Sequence, residues 1–173
     1  ARWVIEHRFL LETEDDETMF AQYSNWTYFS DYLIKNVKAL VNAAKQNTSR
    51  NMTVENFKMT VDVSDSYRAV RYEFDWIKFA EETGSHITIG DVFEVDGLFL
   101  YGNGALNMIY PMGYVVESAS PKPNVESDQT LTWYEIKNFG TGKPRVVLNE
   151  KTSSIVDLLK SNAPIVVALI AFV

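Results

Sequence analysis

The residue pair that most resembles catalytic machinery is Ser85-His86, a hydroxyl beside an imidazole. A hydrolytic serine needs such a base, because the imidazole takes the hydroxyl proton during attack. We expect both residues in a strand, where adjacent side chains point to opposite faces and cannot share a hydrogen bond. The pair therefore predicts no nucleophile.

A second candidate is the run Gly140-Thr-Gly142-Lys143, which resembles a phosphate-binding loop. That loop requires Ser or Thr after the lysine and a helix beyond it. Here Pro144 follows, and the next residues are strand-like. The run therefore predicts a turn, and we expect no nucleotide cofactor.

Acidic residues offer two weak candidates for cation binding or paired carboxylates. Residues 14–17 are continuously acidic, whereas calcium loops alternate their ligands and place glycine at the sixth position, so the run fits a solvated helix start. Asp91 and Asp96 flank a predicted strand and could face each other. With no cysteine and only two histidines, thiolate sites are excluded and histidine-rich sites nearly so. We predict no metal, no cofactor and no enzymatic activity.

The net charge limits which kinds of partner the protein can bind. The chain carries −7 at neutral pH, and its 16 basic residues are scattered rather than clustered. A protein that grips phosphate backbones needs a basic patch, so nucleic acid is disfavoured as a partner.

The element that must position any site is a predicted helix over residues 16–46. Apolar residues recur there every three or four positions, with Trp26 and Phe29 at the centre of the apolar side. Such an aromatic underside needs a broad apolar surface to pack on, and an antiparallel sheet supplies one.

Strands with period-two alternation surround this helix. His7 falls on the apolar side of a first strand, which predicts a neutral, hydrogen-bonded core histidine rather than a catalytic base. Residues 57–63 and 70–76 predict a hairpin that presents Tyr72 and Trp76 to the core, and Asn103-Gly104 predicts another hairpin turn. The fold class predicted is α+β, one long N-terminal helix on an antiparallel sheet. A second sheet after Gly90, forming a sandwich-like C-terminal part, is left open.

Length and the C-terminal sequence define the domain organisation. Residues 1–150 are compatible with one domain, with a candidate subdivision near Gly90. Residues 151–173 contain a predicted short helix and then the uninterrupted apolar run 165–173. The run is too short to cross a bilayer, which takes roughly 20 apolar residues, so it is interpreted as part of a membrane anchor that could also self-associate. A buried final strand is the alternative.

Three acceptor tripeptides for N-glycosylation begin at Asn25, Asn47 and Asn51. Asn47 and Asn51 fall in the predicted loop after the helix, where a glycan could be carried. Asn25 falls inside the predicted helix beside Trp26, which argues against its modification.

The element order, with Gly90-Asp-Val-Phe-Glu-Val95, Tyr110-Pro-Met-Gly-Tyr114 and Leu131-Thr-Trp-Tyr134, resembles uncharacterised archaeal membrane-anchored proteins with an extracytoplasmic β-rich domain. This resemblance implies a cell-surface location and carries no catalytic residue.

Two functions follow as hypotheses. One is a non-enzymatic extracytoplasmic interaction or sensor domain that is tethered by its C-terminus and binds a protein or small molecule. The other is a soluble module that binds a small molecule or lipid in a pocket between helix and sheet. Whether Trp26, Phe29, Tyr72 and Trp76 fill that space or line a cavity discriminates between them.

Overall fold

The computed structural model describes residues 1–10, 12–64, 67–93, 97–100, 102–135, 138–151 and, as backbone, 166–172. The helical segments are α1 (Glu14–Tyr23), α2 (Trp26–Tyr28), a π-helix (Phe29–Ile34), α3 (Lys35–Thr48) and a 3₁₀ turn (Asp91–Phe93). The strands are β1 (Arg2–Phe9), β2 (Thr53–Val63), β3 (Arg68–Ile77), β4 (Glu81–Thr83), β5 (His86–Ile89), β6 (Ala105–Ile109), β7 (Tyr114–Ser120), β8 (Val125–Ser127), β9 (Thr130–Tyr134), β10 (Arg145–Glu150) and β11 (Val166–Phe172).

The predicted fold class is wrong, because the protein is mainly β: strands take 45% of the chain and helices 25%. The described strands form a seven-stranded sheet in the order β2-β3-β1-β11-β6-β9-β8 and a four-stranded sheet in the order β4-β5-β10-β7. Each sheet takes strands from both sides of Gly90. The physical reason for the error is that strand alternation reveals which face is buried but not which strands pair.

The helical region also differs from the prediction. The expected single helix is interrupted at Ser24-Asn25, and the second run, from Trp26 to Thr48, contains the π-helical turn. Asn25 caps that run through its side-chain oxygen, which accepts from the Thr27 amide at 2.8 Å. The apolar residues recur without interruption across this point, but the Asn25 cap nevertheless starts a new helical run.

The C-terminal apolar run supplies β11, which lies between β1 and β6. β11 pairs in parallel with β1, from Arg2 opposite Val166 to Arg8 opposite Phe172, and antiparallel with β6. Residues 166–172 are therefore a central strand of the large sheet. The helix expected over residues 155–160 lies outside the described residues. Among the residues that are described, no helix is long and apolar enough to span a bilayer.

One core joins the two sheets. It contains Trp3, Phe74 and Trp76 from the large sheet together with Ile89 and Leu148 from the small one. Trp3 packs on Phe74 at 6.2 Å between ring centroids. A smaller cluster of Phe9, Phe29, Val70 and Tyr72 lies under the helical region.

The hairpin predicted at Asn103-Gly104 is wrong. β6 begins just after this turn, but its partners are β9 and β11. Before the turn, Phe99 makes an isolated bridge with Asn138. Residues 102–103 do form a turn, as the Asn-Gly pair predicts. The strand after it pairs with distant strands and not with the segment before the turn.

Candidate functional site

The candidate site is built where α1 and the second helical run meet the large sheet. Thr13 caps α1 and exchanges hydrogen bonds with Asp16, whose carboxylate accepts from the Thr13 amide at 2.9 Å. The break at Ser24-Asn25 then lets the chain turn, so that Tyr23 and Phe29 both pack on β1 and β3. Neither α1 nor the second run would reach this arrangement as one straight helix.

The space between the helices and the sheet at this point is filled. Phe29 and Tyr72 are both 0% exposed, and their rings stack 5.4 Å apart with planes 8° from parallel. Trp76 is also buried, but in the larger core cluster. The sequence thus placed Phe29, Tyr72 and Trp76 in the interior correctly.

Trp26 is the exception, because 64% of it is exposed. It is the first residue after the Asn25 cap, and its ring packs on that of Phe29, with ring centroids 5.2 Å apart. The prediction that Trp26 is a core residue is wrong, since the break at Ser24-Asn25 puts Trp26 at the end of a helical run instead of in the middle of one.

A chain of touching rings connects the interior to the surface. His7 lies 4.6 Å from Tyr23, Tyr23 lies 5.1 Å from Tyr28, and Tyr28 stacks on Tyr32 at 5.0 Å, all between ring centroids. The last ring, Tyr32, is 57% exposed. Tyr32 belongs to the π-helical turn, a feature that recurs at functional sites.

Burial sets the protonation states along this chain of rings. Burial lowers the pKa of His7 to about 4, so the ring is neutral near pH 7. Its Nδ1 atom is buried and finds no hydrogen-bond partner among the described residues. Burial also raises the pKa of Tyr72, with smaller contributions from Tyr28 and Tyr23, and the Tyr72 hydroxyl donates to the Tyr23 carbonyl. The inner end is thus uncharged near pH 7, as predicted for His7, but the hydrogen bond predicted for this histidine is not found at Nδ1.

The outer end of this chain is Tyr32, which stacks on the half-buried Tyr28, while the exposed Trp26 of the same helical run packs on Phe29. We call these three rings, Trp26, Tyr28 and Tyr32, the aromatic surface. Burial raises the pKa of Tyr28, as do the neighbouring Tyr23 and Tyr32, so the Tyr28 hydroxyl stays protonated and can donate a hydrogen bond. Rigid aromatic rings with a polar tip are the residues that dominate protein interfaces. The arrangement can therefore bind a partner surface.

The Ser85-His86 prediction needs correction, because the two side chains do contact each other. Ser85 lies in the turn before β5, so strand alternation does not apply, and its Oγ is 3.3 Å from His86 Nδ1. Glu117 approaches the other ring nitrogen, His86 Nε2, at 3.1 Å. The β7–β10 register shifts beside Glu117, and such a bulge can re-aim a side chain.

Glu117 was missed by sequence reasoning, since no local signal marks a bulge. The His86 and Glu117 side chains are 44% and 51% exposed, so water competes for every hydrogen bond of the set. We interpret Ser85, His86 and Glu117 as a surface contact that spans the small sheet.

The acidic candidates have structural partners. Arg50 binds Asp91 with both terminal nitrogens and donates to the Phe79 carbonyl at 2.7 Å, which ties the α3–β2 loop to the small sheet. Asp96 lies outside the described residues. Residues 14–17 form the first turn of α1. Within the described part of the chain, no three His, Asp or Glu side chains are placed to share a metal ion.

The Gly140 run is a turn, as predicted, and it leads into strand β10 rather than a helix. Its Gly142 amide donates to the Phe93 carbonyl at 2.9 Å. The run therefore serves to pack against the 3₁₀ turn.

The acceptor asparagines are all exposed. Asn51 lies in the α3–β2 loop, as expected, whereas Asn47 lies in the last turn of α3. Asn25 is occupied as a helix cap rather than lying within a helix.

Two open depressions mark the surface. One, of about 240 Å³, lies on the outer face of the large sheet and is lined by charged residues that include Glu6, Arg8 and Arg71. The other, of about 230 Å³, lies between α3 and the start of β2 and is lined by Lys38, Val41 and Met52 among others. Neither is lined by Phe29, Tyr72 or Trp76.

Comparison with known families gives one match. The sequence model of a family described as "Domain of unknown function (DUF7345)" matches residues 1–114, well over half of the chain. The protein belongs to this family. No curated protein and no solved structure matches it. The DUF7345 match includes the helical region with its aromatic surface and strands β1 to β6, whereas β11, which lies between β1 and β6, falls beyond it.

Proposed function

We propose that the protein is a non-enzymatic interaction domain that binds a protein partner through the aromatic surface. The observation that carries the proposal is the contrast within one helical run: Phe29 is fully buried, while Trp26 and Tyr32 are 64% and 57% exposed. Exposed aromatic rings are unfavourable in water, so a partner that covers them gains free energy from the burial of their apolar surface.

The rigidity of these rings supports a preformed interface. Trp26 rests on Phe29 and Tyr32 rests on Tyr28, so each exposed ring has one face fixed against the protein. Binding then costs little side-chain conformational entropy, because these rings are already held in place, and this favours affinity. The cap at Asn25 fixes the start of the run from which Trp26 projects.

The alternative, a small-molecule or lipid pocket between helix and sheet, has less support. Such a pocket needs open volume under the helices, where Phe29 and Tyr72 stack instead. The depression between α3 and β2 is open to solvent and carries Lys38 and Lys45 on its rim, so it offers little apolar enclosure.

An extracytoplasmic location remains part of the proposal, supported by acceptor tripeptides at exposed Asn47 and Asn51. We do not assign the tether to residues 165–173. A span built from them would take β11 out of the centre of the large sheet.

Site-specific photo-crosslinking in cells that make the protein tests the proposal. A photoreactive amino acid at position 26 or 32 should yield the same discrete protein adduct. The matched control is position 125 on β8, where Val125 is exposed to 45% but lies at the far edge of the large sheet. Adducts that are absent at positions 26 and 32, or equal at all three positions, would refute the aromatic surface as the binding site.

A further inference from the structure

The outer strand of the large sheet, β2, has an unpaired edge. It pairs with β3, and no other strand within the described residues pairs with it. Its regular part is bounded on one side by the register shift between Glu55 and Lys58, where Asn56 has φ 58°, and on the other by the turn at Ser64. Among the described residues, the backbone donors and acceptors of residues 58–63 that point away from β3 have no strand partner.

This stretch has a charged side and an apolar side. Lys58, Thr60 and Asp62 alternate with Met59, Val61 and Val63. Val61 and Val63 are 40% and 64% exposed. Exposed β-branched residues beside an open edge are what protein sheets usually avoid, because they invite another strand to pair.

We propose that β2 pairs antiparallel with β2 of a second copy of this chain, with Thr60 opposite Thr60. This register places Lys58 of each copy opposite Asp62 of the other, and Met59 opposite Val61. Opposite charges, paired hydroxyls and paired apolar side chains are the favourable cross-strand combinations.

Charge selects this register from its neighbours. Centring the pair on Lys58 would set two lysines against each other, and centring it on Asp62 would set two aspartates together. Centring it on Met59 or Val61 leaves both charges opposite uncharged residues. A shift by one residue turns the charged side of one copy to the apolar side of the other.

The resulting contact is symmetric, so each copy contributes the same residues and the assembly closes at two. The large sheet then continues from one copy to the other, while the helical region and its aromatic surface stay outside the contact. A pairing this short buries less area than a standard stable interface, so the dimer is reversible and depends on concentration.

Charge reversal with sedimentation velocity tests the proposal on the full chain. The wild type should shift from monomer to dimer as its concentration rises. Lys58→Glu sets two carboxylates against each other across the contact, and Asp62→Lys sets two ammonium groups together, so each variant alone should dimerise at least about tenfold more weakly. An equal mixture of the two variants should form a heterodimer, and the double variant should recover wild-type dimerisation.

The matched control is Glu126→Lys, a reversal on β8, the strand at the opposite edge of the same sheet, which should dimerise like the wild type. Far-ultraviolet circular dichroism melts establish that each variant is folded. A wild type that stays monomeric at every concentration overturns the proposal. So does a dimer that both single reversals leave unchanged, since another surface would then hold it.

Discussion

Trp26 and Phe29 are three positions apart in one helical run, yet one is exposed and the other is fully buried. Residues three apart lie on the same side of a helix, so the helical period predicts the same burial for both. Trp26 is the first residue after the Asn25 cap, at the end of the run, whereas Phe29 stacks on Tyr72. At the scale of single residues, identity and period therefore do not settle burial, because the position along the run decides it.

Phe29→Ala should lower the free energy of unfolding by about 3–5 kcal/mol, as for other large-to-small core changes. Trp26→Ala should lower it by less than about 1 kcal/mol, because the ring is mostly in water. Urea unfolding of both variants measures the difference. Equal losses at the two positions would place Trp26 in the core and remove the basis for the aromatic surface.

His7 should make stability depend on pH. Its pKa is about 4 when folded, below its ordinary 6.5, so the unfolded chain binds the extra proton first. The contribution of neutral His7 to the free energy of unfolding is complete above about pH 6.5. It is lost as the pH falls toward 4, and the total loss is on the order of 3 kcal/mol.

The measurement is the unfolding free energy of the wild type and of His7→Leu between pH 4 and 7, taken as a difference so that the carboxylates cancel. The difference should change across this window, because His7→Leu removes the titrating ring. A constant difference would mean that His7 keeps its ordinary pKa in the fold.

At the scale of elements, caps and close approaches decide where segments end and meet. Asn25 begins the second helical run, and Gly90 lets β5 turn against the start of β10. Each is a single residue, yet Asn25 sets where the second helical run begins and Gly90 sets how closely β5 approaches β10.

Asn25→Ala should cost about 1 kcal/mol, because the Thr27 and Tyr28 amides lose their acceptor. Asn25→Asp keeps an acceptor and should stay near the wild type. Thermal melts followed by circular dichroism compare them. If alanine and aspartate behave alike, the cap does not hold the start of the run.

Gly90→Ala should be among the most damaging small changes, at about 2 kcal/mol or more. Gly90 has φ 122°, and a Cβ there would lie 2.4 Å from the Pro144 carbonyl oxygen. Gly84→Ala is the control: φ is 62°, but no atom lies within 4 Å, so only backbone strain of about 1 kcal/mol applies. Chemical denaturation should rank the two in this order, and the reverse order would contradict the close approach at Gly90.

For the whole molecule, β11 is decisive, because it joins β1 to β6 in the large sheet. Removing it would leave two separated sets of strands.

A chain that ends at Lys160 should therefore fail to fold, with loss of amide dispersion in its nuclear magnetic resonance spectrum. Leu169→Pro tests the same strand in the full chain, since proline removes a ladder donor from a strand that is paired on both sides. A truncated chain that stays folded and dispersed would return residues 165–173 to the anchor interpretation.

The sequence by itself determined which face of β3 is buried, because side chains alternate with a period of two whatever the partner strand. In β1 the same pattern is incomplete, since Glu6 on the side predicted to be polar is also buried. The sequence also determined that His7 is neutral, from its place among apolar residues, and that the Gly140 run is a turn, which depends on its own residues. Only the tertiary structure decided that the helix breaks at Asn25, that Ser85 meets His86 and that Glu117 joins them. It alone placed residues 166–172 beside β1, because a pairing between opposite ends of the chain leaves no local signal. The partner of a strand depends on what the rest of the chain leaves unpaired, whereas its faces depend only on its own residues.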